Sequence, residues 1–190
     1  MEKAICVYCS SSDAVDKIYF ETAKKLGELI PENGYNLVFG GSEVGLMGEL
    51  VKSVYASKGK ITGIVPKFIK ENCKTFEYAD EMIVTNNLRD RKALMEENAD
   101  AFVALPGGFG TLEEILEVLT LKQLGYHNKP VIFINTDGFY DKLIELFEHL
   151  YAKHFAKPGS REMYYIAQNA EDAIQYILNY KPQTLISKWY

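Results

Sequence analysis

Positive charge is in short supply in this chain: 21 Lys and Arg stand against 26 Asp and Glu in 190 residues, a formal net charge of -5. A nucleic-acid polymer or an anionic membrane as the main partner would require a basic surface, so neither is expected. A small anion held in a local pocket remains allowed. Cysteine is equally scarce, and its three residues cannot all pair within one chain. Cys6-Val7-Tyr8-Cys9 has the spacing of a redox or metal pair, but Cys6 falls inside the first apolar run, whereas a thioredoxin-type pair opens a helix. His127, His149 and His154 show no spacing with Cys73 that suggests a metal cage, so no metal is expected. No apolar run approaches the roughly 20 residues that span a bilayer, and the chain enters its first strand without a signal core or cleavage site. A reduced, cytoplasmic protein is the expectation.

What is present is a chain of 47% hydrophobic and 25% charged residues, long enough for one well-buried domain. Short apolar runs alternate with amphipathic segments, the pattern of parallel strands joined by crossover helices. Strands are predicted near Ile5-Tyr8, Asn36-Phe39, Ile61-Val65, Met82-Thr85, Ala101-Leu105, Val131-Ile134 and Met163-Ile166. A helix from about Val15 to Ile30 is predicted to turn Ile18, Ala23, Leu26 and Ile30 inward; another from Thr111 to Gly125 does so with Leu112, Ile115, Leu116 and Leu119. The run from Ala101 is apolar on both alternating faces, which marks a central strand covered on each side. The fold class is therefore α/β: a single Rossmann-like domain over residues 1–180, with a doubly wound, mostly parallel sheet and helices on both faces. Residues 181–190, which open on the helix-ending pair Lys181-Pro182, form a C-terminal tail that is either loose or a docking arm, its apolar content slightly favouring docking.

The stretch Pro106-Gly107-Gly108-Phe109-Gly110-Thr111-Leu112-Glu113-Glu114 leads from that central strand into a helix. Three glycines among four residues let the backbone approach a ligand closely, and the amides opening the helix attract an anion. Its position at the carboxyl end of a central strand also favours a site. A second glycine turn, Gly40 to Gly48, makes the same move, with Gly41, Ser42 and Gly45 as candidate contacts. Neither turn ends in Gly-Lys-Ser or Gly-Lys-Thr, so no Walker-type nucleotide hydrolysis is expected. A dinucleotide fingerprint fits poorly, because Glu113 stands in place of the third glycine and Glu114 adds like charge towards a pyrophosphate. Thr111 and Glu114 also have the spacing of a capping box; with a phosphate at the helix start, however, Glu114 lies close to the ligand's sugar. Upstream, Asn86 to Met95 has two readings that can hold for different residues: a helix start whose charges face water, as in most such runs, and an Arg at that start within reach of the same cleft.

Together these segments resemble the Lonely Guy (LOG) family of nucleoside 5'-monophosphate phosphoribohydrolases. The family's Pro-Gly-Gly-x-Gly-Thr-x-x-Glu motif stands intact at Pro106–Glu114, its Arg-Lys stretch appears as Arg91-Lys92-Ala93-Leu94-Met95, and Gly40 to Gly48 and Gln123 to Val131 are also similar. The likeness runs from about Ala4 to Ile177. It implies hydrolysis of the N-glycosidic bond of AMP or a cytokinin riboside monophosphate, without a cofactor, by a homodimer. It implies Arg91 and Glu114 as the catalytic pair, with Lys92, Gly107, Gly108, Phe109, Gly110, Thr111, Leu112, Glu113 and Thr120 contacting the nucleotide. Thr120 lies seven residues after Glu113, on the same helical face. The chain departs from the family at Leu88-Arg89, where many members have Met-His, at Cys9-Ser10-Ser11-Ser12, where Cys-Gly-Ser-Ser is common, and at Cys73, near Glu71, where some members place an acid close to the base. These departures bear on base preference. Members have also been labelled lysine decarboxylases, but no lysine here announces itself as a Schiff base with a partner for a pyridoxal ring. A nucleotide sensor or carrier without turnover is the remaining class.

Overall fold

The computed structural model describes residues 3–182. Among them, seven strands form one sheet in the order β4-β3-β2-β1-β5-β6-β7: β1 Lys3–Tyr8, β2 Tyr35–Phe39, β3 Ile61–Pro66, β4 Glu81–Thr85, β5 Ala101–Ala104, β6 Val131–Ile134 and β7 Tyr165–Ala167. Every pairing is parallel, which sharpens the expected mostly parallel sheet. Seven helices connect them: α1 Lys17–Glu32, α2 Gly45–Ala56, α3 Lys67–Asn72, α4 Leu88–Glu97, α5 Phe109–Leu124, α6 Asp141–Ala152 and α7 Ala170–Asn179. No helix of the described residues is long and apolar enough to cross a membrane. The tail beyond 182 lies outside the described residues.

Alternation along the strands divides the core in two. Ile5, Val7, Leu37, Phe39, Ala101 and Val103 point to the face covered by α1, α2 and α7; Cys6, Tyr8, Val38, Phe102 and Ala104 point to the face covered by α4, α5 and α6. Burial on both faces is what a parallel strand with crossover helices on each side demands, and all four residues of β5 are fully buried. The order reverses between β1 and β5. There, Leu105 N–H donates to Tyr8 O at 3.0 Å and Ser10 N–H to Pro106 O at 3.2 Å, extending the pairing two residues past the strands before the chains diverge. That divergence opens the crevice in which ligands of such sheets collect.

Three local expectations are corrected. Ile18 is exposed, because it stands five residues before Ala23 and so about 140° around the helix from the stripe of Ala23, Leu26, Gly27 and Ile30. The last strand starts at Tyr165, since the residues Pro158–Met163 wind as a 3-10 turn that buries Met163. The helix expected from Thr111 begins two residues earlier, at Phe109, with Gly108 as its N-cap; Thr111 is inside the first turn, so the capping box does not form. Its other end is as expected: Gly125 adopts a left-handed φ of 85°, and Tyr126 N–H reaches back to Leu121 O at 3.0 Å.

Helices α1 and α2 cross at Gly27, where an added Cβ would lie 2.6 Å from both Leu50 O and Ser53 Cβ. Gly27→Ala is therefore expected to destabilise the fold by about 1–3 kcal/mol through overpacking, read as a lower urea midpoint.

Candidate active site

Four strand ends build one cleft of about 710 Å³: the loops after β1 (Cys9 to Ser12), β2 (Gly40 to Val44) and β5 (Gly108 to Thr111), and the segment after β3 containing Ile69, Cys73 and Lys74. Arg91, Lys92, Glu113 and Glu114 close it from α4 and α5.

The two helix starts that face this cleft differ in one respect. At α2, Gly45 N–H donates to Asp13 Oδ1 at 2.9 Å, Met47 N–H to Ser10 O at 3.1 Å and Val44 N–H to Ser42 Oγ at 3.2 Å. That terminus already holds a carboxylate. At α5 no side chain among the described residues caps the helix, and Gly108, Gly110 and Thr111 line the cleft. The orphan amides of α5 are the place where an anion gains both hydrogen bonds and the helix dipole. Glycine at 107 is a steric requirement, because a Cβ there would run into the Thr111 side chain.

Asn87 caps α4 by accepting from Arg89 N–H and Asp90 N–H, each at 2.9 Å, and so sets the turn that delivers Arg91 inward. Arg91 is 8% exposed; its Nε donates to Ile64 O at 3.0 Å and its Nη1 pairs with Glu114 Oε1. Gly40 leaves the space for this guanidinium, since a Cβ at that position would collide with Nη2. Glu114 is 9% exposed, and burial pushes its carboxyl above the ordinary range while Arg91 pulls it back. Beside this pair, Lys92 Nζ is held by both Glu113 and Glu117. Burial, with Glu117 nearby, raises the Glu96 carboxyl to about 7.

A family model described as "Possible lysine decarboxylase" matches residues 47–177. The cytokinin riboside 5'-monophosphate phosphoribohydrolase LOG5 of Arabidopsis thaliana is 38% identical over 180 residues, 95% of this chain and 79% of that protein. Its namesake LOG of Oryza sativa subsp. japonica is 38% identical over 181 residues, 95% of this chain and 75% of that one. The chain belongs to the LOG family. Among solved structures, a molybdenum cofactor binding protein from Rippkaea orientalis aligns with a TM-score of 0.73 and 28% identity, covering 94% of this chain and 97% of that one. The molybdenum cofactor carrier protein of Chlamydomonas reinhardtii aligns with the same TM-score, 0.73, over 94% of this chain and 97% of its own at 22% identity, a likeness of fold.

The fold brings most of the residues implied by the LOG motif into one place. Arg91, Lys92, Gly108, Gly110, Thr111, Glu113, Glu114 and Ser42 line the cleft. Gly107 instead lines a smaller apolar niche with Tyr19 and Phe139, Leu112 is half-buried against the α4–α6 side of the core, and Phe109 is 93% exposed. Thr120 is exposed and donates to Leu116 O at 2.7 Å, away from the cleft lining. Gly41 and Gly45 take left-handed φ values of 85° and 66° and shape the loop, with neither among the lining residues. Arg89, the added cation of this chain, is exposed and outside the lining, whereas Leu88, 54% exposed, is on it. Sequence reasoning missed Met47, Ile69 and Lys74. Their only signal was position, just past the ends of β2 and β3.

Removing one partner of a buried ion pair leaves an uncompensated charge, whereas replacing both with apolar groups does not. Arg91→Met is expected to destabilise the protein by about 3–5 kcal/mol, and the double variant Arg91→Met/Glu114→Leu to recover most of that loss. Urea unfolding of both variants measures it.

Proposed function

We propose that this chain hydrolyses the N-glycosidic bond of a purine nucleoside 5'-monophosphate, AMP or a cytokinin riboside monophosphate, to free base and ribose 5-phosphate. The observation that carries the reading is the buried carboxylate of Glu114, paired to Arg91 and one turn inside a helix whose uncapped start opens on the same cleft. A 5'-phosphate on the α5 amides sets the ribose beside Glu114. Departure of the base builds oxocarbenium-like positive charge at C1', which an ionised carboxylate in a dry site stabilises while it takes the proton of the attacking water. Arg91 orients that carboxylate and keeps it ionised against its desolvation. The phosphate, remote from the reacting carbon, supplies binding energy that holds the sugar in register, which favours nucleotides over nucleosides.

Lys92, Gly108, Gly110, Thr111 and Glu113 are assigned to nucleotide contact, with Gly41, Ser42 and Gly45 shaping the facing loop. A homodimer in the cytoplasm, with residues 1–180 as the catalytic domain, completes the proposal. Decarboxylation through pyridoxal phosphate finds little support in the lysines. Lys122, lowered to about 8 by burial, donates to Lys129 O and Tyr180 Oη outside the cleft lining, and Lys92 is taken by two glutamates. A carrier is the second reading, favoured by the 28% identity to the Rippkaea orientalis protein.

Incubation with a panel of 5'-monophosphates, followed by chromatography, is expected to show base release. Nucleotide that stays bound and intact across the whole panel would establish the carrier instead. Glu114→Gln is expected to lower release by about 100-fold or more with binding retained. Because the reactive form of Glu114 is ionised, activity is present above its pKa and falls as pH drops through it. With that pKa raised by burial in the free protein, the acidic limb of the kcat/KM profile is expected above the ordinary glutamate value of about 4.3; a limb at or below that value would remove Glu114 from the role.

A further inference from the structure

Three cations line the cleft, and two are committed. Arg91 is paired with Glu114, and Lys92 with Glu113 and Glu117. The third, Lys74, has no ion pair or side-chain hydrogen bond among the described residues. Its backbone is nonetheless fixed. Glu43 N–H donates to Lys74 O at 3.3 Å, Thr75 bridges antiparallel to Ser42, and Phe76 N–H donates to Gly41 O at 3.0 Å. Residues 74–76 thus form a strap sewn to the glycine loop after β2, and Lys74 lines the cleft from that strap.

Its position decides what it meets. The cleft runs along the carboxyl edge of the sheet from β5 through β1 and β2 to β3, three inter-strand steps or about 14 Å. A phosphate on the open α5 start lies at the β5 end. Asp13 occupies the start of α2, so that terminus does not compete for it. The ribose then lies at the Arg91–Glu114 pair, and the base extends towards the β3 end, between Met47, Leu88 and Ile69 and up to Lys74. Both carboxylates of the lining, Glu113 and Glu114, are engaged with Lys92 and Arg91, leaving Lys74 as the free charge at the base end.

We propose that Lys74 is the acid for the leaving group: its ammonium donates to an acceptor nitrogen of the purine and neutralises the negative charge that develops as the base departs. The C1'–N9 bond breaks with its electron pair going to the base, and a proton passes from Lys74 Nζ to the purine. Water adds its oxygen to C1' and gives a proton to Glu114. The two residues return to their starting states when Glu114 releases that proton to solvent and Lys74 takes one up. The acid and the base of the hydrolysis thus stand on opposite sides of the bond that is cut. This role rests on the phosphoribohydrolase reading above.

The test compares AMP with 4-nitrophenyl ribofuranoside 5-phosphate, whose phenolate leaves without a proton. Lys74 is exposed, so Lys74→Met is expected to fold and melt like the parent protein. It is expected to lose about 100-fold or more in kcat for base release from AMP and less than about 3-fold for nitrophenolate release, with Lys74→Arg recovering part of the former. Equal losses on both substrates would make Lys74 a phosphate or structural contact, and no loss on either would leave it a bystander; either result overturns the assignment. Absence of turnover of both substrates by the unaltered protein overturns the parent reading as well, and so separates the two failures.

Discussion

The site depends on one buried ion pair, Arg91 with Glu114, and much of the local sequence serves to make that pair tolerable. Burying two charges costs more than their attraction returns unless the remaining donors and acceptors are matched. Ile64 O takes the Arg91 Nε, the capped start of α4 aims the guanidinium, and glycine at 40 leaves the space it occupies. Glu114 comes from α5, behind the opposite wall of the cleft. The pair therefore ties the two helices on one face of the sheet to the strand ends beneath them, and Arg91 pulls the Glu114 carboxyl back down against the burial that raises it.

A second constraint follows from the helix starts. Two glycine turns offer the same backbone move, yet the one after β2 is internally satisfied by Asp13 and Ser10, and the one after β5 is not. A terminus with a carboxylate already on it is a structural joint, and an uncapped terminus lining a cleft is a receptor for an anion. On the proposed function, this asymmetry gives the cleft a direction: phosphate at β5, sugar at the ion pair, base towards β3.

Much of the fold was legible because period and burial agree. The doubly apolar Ala101 run is the buried central strand β5, and all seven strands fall within two residues of their expected starts and ends. The misreadings share a cause. Ile18 was counted by hydrophobicity when its angle around the helix takes it off the stripe, and Met163 was read as strand when a 3-10 turn buries it equally well. Thr111 and Glu114 carry the capping-box spacing, but the helix starts two residues before Thr111, and Glu114 pairs instead with Arg91, 23 residues upstream. The glycine turn was legible because three glycines stand between an apolar strand and a helix, and Arg91 and Lys92 through the resemblance to the LOG motif. Ile69 and Lys74 were not, since an isolated Ile in a short helix and an exposed Lys just after it carry no local signal until residues 74–76 pair with the glycine loop after β2.

An acidic protein that takes an anionic ligand needs its attraction to be local, and the cleft shows how that is arranged. Lys92 and Arg91 are neutralised by glutamates, so the charged side chains around the sugar largely cancel and add little net field. The phosphate is left to neutral amides, whose dipoles are fixed by the helix and cost nothing to reorganise. Among the described residues of the lining, uncommitted positive charge remains only at Lys74, at the far end of the cleft, where the proposed reaction develops negative charge on the departing base. Separating the charge that binds the ground state from the charge that meets the transition state is what differential binding requires. The sheet provides that separation by spacing the strand ends on which the two stand.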